Sequence, residues 1–229
     1  MPKEPILFNR LESADSTSVV GVDAVEVGAA VTYPAVKFGN GIYSATAGEG
    51  AKFELLNAGT QFTIDAWAMV TRHARPAPFI GSAGATDVYC PFIYLIYAGH
   101  IAVNRFQVSV YPLVASRYSR YIFDYTFTDG VPFHVNIQVN NTGGALATDK
   151  IKVKINGTLM NSLGIQETAL AADWTNMISF HNVTAGYTGF IPGWFGEALD
   201  NIKVYDYIMD DTDYRHDERG GMNDQSGII

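Results

Sequence analysis

Apolar and polar residues alternate most strictly over residues 133–140. Phe133, Val135, Ile137 and Val139 fall on one side, and His134, Asn136, Gln138 and Asn140 on the other. Successive side chains of a strand point to opposite faces of its sheet, so this pattern predicts a strand with one buried and one solvated face, and it places His134 on the solvated one. Residues 150–157 alternate in the same way through Ile151, Val153 and Ile155, and the loop 141–149 joins the two segments. Residues 62–70 place Phe62, Ile64, Ala66, Ala68 and Val70 on one face and Thr63, Asp65, Trp67 and Met69 on the other. Close to the C-terminus, residues 194–207 read as a further strand. Asp200 stands at its entry, and near-regular alternation begins at Ile202.

Shorter strands are predicted over 6–11, within 19–33 and over 52–56, 118–127 and 177–182. Residues 88–97 and 101–111 form a hairpin about Ala98-Gly99-His100, and 72–78 is a proline-rich loop. Gly39-Asn40-Gly41 suits a tight turn with positive φ. No amphipathic helix longer than a turn or two is predicted. About a dozen short strands predict an all-β fold, an antiparallel two-sheet β-sandwich of jelly-roll type. Residues 1–212 are expected to form that domain, and 213–229 a polar, flexible tail. The acidic run Asp206, Asp210, Asp211, Asp213 and Asp217 lacks the glycine of an EF-hand loop and reads as a solvated edge.

Composition narrows the function. With 229 residues, the chain can bury roughly 70% of its unfolded surface. The 13 Tyr and 13 Phe favour strands. A formal net charge of −8 argues against nucleic acid and anionic membrane as partners. The single cysteine, Cys90, excludes an intrachain disulfide and reads as a buried, inert thiol. No signal-peptide pattern follows Met1-Pro2-Lys3-Glu4-Pro5, and the apolar run 88–98 is too short to span a bilayer and contains Pro91. Folding in a reducing cytoplasm is therefore expected, with the protein placed on a virion or other assembly surface.

The order of these segments resembles the concanavalin A-like lectin/glucanase superfamily, in the manner of its laminin-G-like and laminarinase-like domains. The resemblance rests on Lys37-Phe38-Gly39-Asn40-Gly41-Ile42, on Phe62-Thr63-Ile64-Asp65-Ala66-Trp67-Ala68, and on His134-Val135 followed by Asn156-Gly157. It rests also on Met177 to Asn182, where His181 replaces the superfamily's glycine, and on the closing stretch Gly196 to Tyr205. It spans residues 6–212. It implies the jelly-roll sandwich and one structural Ca²⁺. The metal's ligands would be Glu12 or Asp15, the carbonyls of Gly39 to Gly41, and Asp200; hard oxygen donors of this kind suit Ca²⁺. The alternative is that Asp200 caps a backbone turn and binds no metal.

Glycosidases of the superfamily carry paired acids on one strand, because hydrolysis needs two carboxylates flanking the bond. No such pair occurs here: Asp65 stands alone on its strand, and Glu49, Glu54, Glu167 and Glu197 each lack an acid two residues away. No zinc, nucleophile or phosphate-loop motif is present. The expected function is non-enzymatic recognition of a glycan or surface polysaccharide, displayed on a larger assembly such as a phage particle beside other copies or subunits. Candidate ligand-binding residues are Trp67, Asp65, His134, Asn136, Gln138 and Trp194, with Trp174 a further aromatic. The alternative is a purely structural capsid or tail component, and less favoured still is a glycoside hydrolase.

Overall fold

The protein is described here by a computed structural model covering residues 4–13, 17–44, 49–59, 61–69, 77–82, 92–96, 105–110, 119–140, 150–167, 180–185, 198–211 and 213. Every regular element longer than a turn among these residues is a strand, as the alternations require. The chain opens with β1 (Leu7–Asn9), β2 (Val25–Val27), β3 (Val31–Thr32), β4 (Tyr43–Ser44), β5 (Gly50–Gly59) and β6 (Gln61–Met69). There follow β7 (Ala77–Ser82), β8 (Phe92–Ile96), β9 (Arg105–Val110), β10 (Ser119–Asp124) and β11 (Pro132–Asn140). The last five are β12 (Ile151–Ile155), β13 (Thr158–Leu159), β14 (Ser162–Glu167), β15 (Phe180–Ala185) and β16 (Ala198–Tyr205).

They form two antiparallel sheets. One has six strands in the order β1-β16-β6-β11-β12-β13, and the other eight in the order β14-β10-β9-β8-β7-β15-β5-β2; β3 and β4 pair separately. A single core lies between them. The six-stranded sheet contributes Phe62, Ile64, Ala66, Ala68, Phe133, Val135, Ile137, Val139, Val153, Ile155, Ile202 and Val204. The eight-stranded sheet contributes Phe53, Ile80, Val108, Tyr121 and Phe123. The register opposes Phe133 to Ala68 and Val139 to Phe62, so large and small side chains share the space between the layers. The same register brings Trp67 opposite His134, Asp65 opposite Asn136 and Thr63 opposite Gln138 on the outer face.

The closing strand β16 carries a bulge. Trp67 opposes Asp200 and Asp65 opposes Lys203, so Asn201 and Ile202 together face Ala66. Asn201 takes up the extra residue with φ 52°, a left-handed conformation that asparagine tolerates better than most residues. The bulge allows Asp200 and Lys203 to face outward while Leu199, Ile202 and Val204 all reach the core. That is why alternation in the sequence starts only at Ile202.

Some expectations are corrected. Residues 77–82 are a strand, although 72–78 reads as a proline-rich loop. Pro78 is accommodated beside a register irregularity between β7 and β8, outside the part of β7 that pairs with β15. β15 runs to Ala185, beyond the 182 expected, and β13 and β14 are additions. Cys90, Asp15, Val70, Trp174, Trp194 and nearly all of the 213–229 tail lie outside the described residues.

Candidate functional site

The outer face of the six-stranded sheet carries the polar residues singled out from the sequence, but they are not solvated. Asp65, His134, Asn136 and Gln138 are each exposed by 5% or less. What covers them is the chain after β16. Met209, buried at 4%, lies over the row. Gln138 Nε2 donates to the Met209 carbonyl at 3.0 Å, and Asn136 Nδ2 contacts its Sδ at 3.5 Å. Thr63 fixes the same segment, its Oγ1 donating to the Tyr207 carbonyl at 2.8 Å and accepting the Met209 N–H at 3.1 Å. The placing of His134 on a solvated face is therefore corrected. The acidic residues Asp206, Asp210 and Asp211 do face solvent, but the apolar Met209 among them turns inward and straps the segment to the sheet.

Beneath this strap the polar groups satisfy one another. Asp65 Oδ2 lies 3.0 Å from His134 Nε2, and Asp65 Oδ1 accepts Asn136 Nδ2 at 3.0 Å. Gln138 Nε2 also reaches Asn136 Oδ1 at 3.3 Å. Burial pushes the Asp65 carboxyl up, but the charge and hydrogen bond of His134, the Asn136 amide and the Lys203 charge outweigh it and hold the group below its ordinary value. A buried polar row of this kind is stable only because its members pair, and its geometry is that of a bonded network.

Trp67 marks where this network meets the surface. Its ring lies 5.2 Å from that of His134 and 5.5 Å from that of Phe38, the latter edge-on. Lys37 Nζ stands 5.1 Å from its centroid, a cation–π contact. Phe38 is 40% exposed and Trp67 half-buried, so the cluster offers aromatic surface to solvent. Lys37 and Phe38 lie in a tight loop closed by Val36 N–H to the Gly39 carbonyl and Gly41 N–H to the Pro34 carbonyl, each 2.8 Å. The loop is pressed against β16: a side chain at Gly41 would meet the Leu199 carbonyl oxygen at 2.4 Å.

Asp200 joins this loop to the sheet. It is fully buried, and its Oδ2 accepts the N–H groups of Phe38 at 2.9 Å and Lys37 at 3.2 Å. Its Oδ1 is buried without a hydrogen-bond partner among the described residues. Burial pushes the carboxyl up to about 6, with the negative charge of Glu12 adding to the effect, while the N–H groups of Phe38, Lys37 and Asn201 act against it. Glu12 reaches the same loop, because a Cβ on Gly39, at φ 146°, would lie 2.8 Å from its Oε1. Both acids adjoin left-handed residues, Leu11 at φ 59° and Asn201 at φ 52°. The Leu11 turn is held by its N–H donating to Asn9 Oδ1 at 2.8 Å and by Asn201 N–H donating to the Arg10 carbonyl at 3.3 Å. A leucine in this conformation costs about 1–2 kcal/mol.

Asp200, Glu12 and Gly39 thus come together at one edge of the sheet, and Trp67 stands next to them. Among the described residues no three His, Cys, Asp or Glu side chains cluster. A cation bound here would complete its shell from carbonyl groups and water. The donor chemistry fits Ca²⁺: two hard carboxylates, one with a buried and unpaired oxygen, beside a glycine turn. The sequence pattern does not single out Lys37, Phe38 and Met209 as candidate site residues: the segment 37–42 stands out for its glycine turn and its resemblance to a family segment, and Met209 is one apolar residue in an acidic run.

No family model matches the sequence, and no curated protein matches it. Solved structures do. The receptor binding domain of botulinum neurotoxin C/D mosaic serotype superposes with a TM-score of 0.69 at 15% identity, covering 96% of this chain and 52% of that one. The binding domain of botulinum neurotoxin DC, in complex with rat synaptotagmin II, gives 0.70 at 14% identity, over 96% and 52%. Domain 4 of AbnA, a GH43 extracellular arabinanase from Geobacillus stearothermophilus in complex with arabinotriose, gives 0.61 at 14% identity, over 93% and 97%. The chain spans about half the length of the neurotoxin domains and nearly all of the arabinanase domain. At these identities the likeness shows the fold, an all-β antiparallel sandwich. No helix among the described residues is long and apolar enough to cross a membrane.

Proposed function

We propose that the chain is a non-catalytic recognition module of concanavalin A-like type that binds a glycan or a receptor surface through the Trp67–Phe38–Lys37 cluster, with one Ca²⁺ at Glu12 and Asp200. The observation that carries this is the solvent-facing aromatic pair beside buried acids. Aromatic faces suit the apolar faces of sugar rings, and a few polar groups fix orientation. Two of the solved structures that share the fold are named as binding domains, and a third is in complex with arabinotriose, which supports recognition. The acids support it too: Asp200 is fully buried with one oxygen bonded to backbone, and Asp65 is buried against His134, so neither is placed to flank a scissile bond. Bound Ca²⁺ would supply the partner that Asp200 Oδ1 lacks among the described residues.

A glycan array run with Ca²⁺, with arabinan oligosaccharides among its probes, tests the reading. Binding that is lost in Phe38→Ala and in Trp67→Ala, with the melting temperature retained, supports it. A blank array, with the protein found in stoichiometric, symmetric contacts of an assembly, returns the chain to a purely structural role, and release of reducing sugar overturns the absence of catalysis. Chelation is expected to lower the melting temperature of the wild type, and Asp200→Asn to remove that difference. An unchanged melt with a clean metal analysis removes Ca²⁺ from the account.

A further inference from the structure

Resting on the calcium and recognition readings above, we propose that a cation at Glu12 and Asp200 sets the geometry of the Trp67 surface through the main chain of Lys37 and Phe38, so that ligand recognition is calcium-dependent. The two oxygens of Asp200 do different things. Oδ1 has no hydrogen-bond partner among the described residues, whereas Oδ2 holds the N–H groups of Lys37 and Phe38. The side chains of those same two residues grip Trp67, Phe38 by its ring and Lys37 by its ammonium. Trp67 is itself the ladder partner of Asp200. The second acid touches the loop as well, since Glu12 Oε1 lies against Gly39, the residue after Phe38.

A cation on Oδ1 fixes the rotation of the Asp200 carboxylate, and with it the direction in which Oδ2 points. The hydrogen bonds described for the Lys37 and Phe38 main chain both end on that oxygen, so their position follows it. The rest of the loop is anchored elsewhere, through Ile42 and Leu199 at 2.8 and 3.0 Å. The cation therefore acts on the part of the loop that carries the exposed ring. Coupling of this kind is reciprocal: a ligand that holds Phe38 and Trp67 in place tightens cation binding by the same factor.

The test uses the full chain with Trp174→Phe and Trp194→Phe, which leaves Trp67 as its one tryptophan. Calcium is titrated while emission and acrylamide quenching are read, and melting temperature is measured in parallel. A saturable change in Trp67 emission and quenching, with the same midpoint as the rise in melting temperature, is expected. Glu12→Gln raises the calcium midpoint by about tenfold, because ligand charge sets affinity. Phe38→Ala keeps the calcium-dependent rise in melting temperature and loses most of the change in emission. A rise in melting temperature with no change at Trp67 overturns the coupling and leaves the calcium site standing. No response in either measurement overturns both. Retained glycan binding after chelation defeats the calcium dependence even where recognition itself holds.

Discussion

At the scale of single residues, the buried pair Asp65 and His134 is the most consequential contact on the outer face. Asp65→Ala would leave His134 Nε2 and the Asn136 amide without their acceptor under Met209, at a cost of about 2–5 kcal/mol, measurable by chemical denaturation. Its pH dependence follows from the direction of its shift. The folded state binds the Asp65 proton more weakly than the unfolded chain, so its contribution is complete above the ordinary carboxyl value of 3.8 and is lost as pH falls below it. Stability should therefore decline on acidification below about pH 4, and Asp65→Asn should flatten that decline. The identity of these residues as one cluster was legible in the sequence, because a period of two places Asp65, Trp67, His134, Asn136 and Gln138 on outward faces. The burial of the four polar residues among them was not legible. It depends on Met209, more than sixty positions away in the chain from any of them, and alternation says which face a residue takes, not what later covers that face.

At the scale of elements, β6, β11, β12 and β16 were legible because each has one face in the core and one outside, the condition under which alternation is strict. Truncating Ile137 or Val204, both fully buried, to Ala should cost about 2–5 kcal/mol in an unfolding titration. The strap after β16 makes a comparable demand: Met209→Ala should cost about 2 kcal/mol or more and expose the polar row to faster hydrogen exchange. The elements missed have physical reasons. β13 is only two residues long, and β7 carries a proline that argues against a strand until the adjoining irregularity is seen. The bulge in β16 gave a weaker signal, an alternation that starts late, and it is what brings Asp200 to the loop at Lys37 and Phe38.

At the scale of the molecule, the placement of β16 has a consequence in time. It lies between β1, the first strand, and β6, and pairs with both. Until residue 205 has left the ribosome, β1 has only the isolated bridge of Phe8 to Val20 and no strand beside it in its sheet, and β6 has one. The pairing of β1 with β16 must therefore wait for the residues between them to be made, and loop closure over nearly two hundred residues precedes the contact that rewards it, which slows folding. Stalled nascent chains ending before Ala198 should be cleaved readily by protease, and chains with residue 211 outside the exit tunnel should resist it. While β6 waits, its apolar row from Phe62 to Ala68 is an open template for another chain. Yield should therefore depend more on synthesis rate and chaperone supply than on the stability of the finished sandwich.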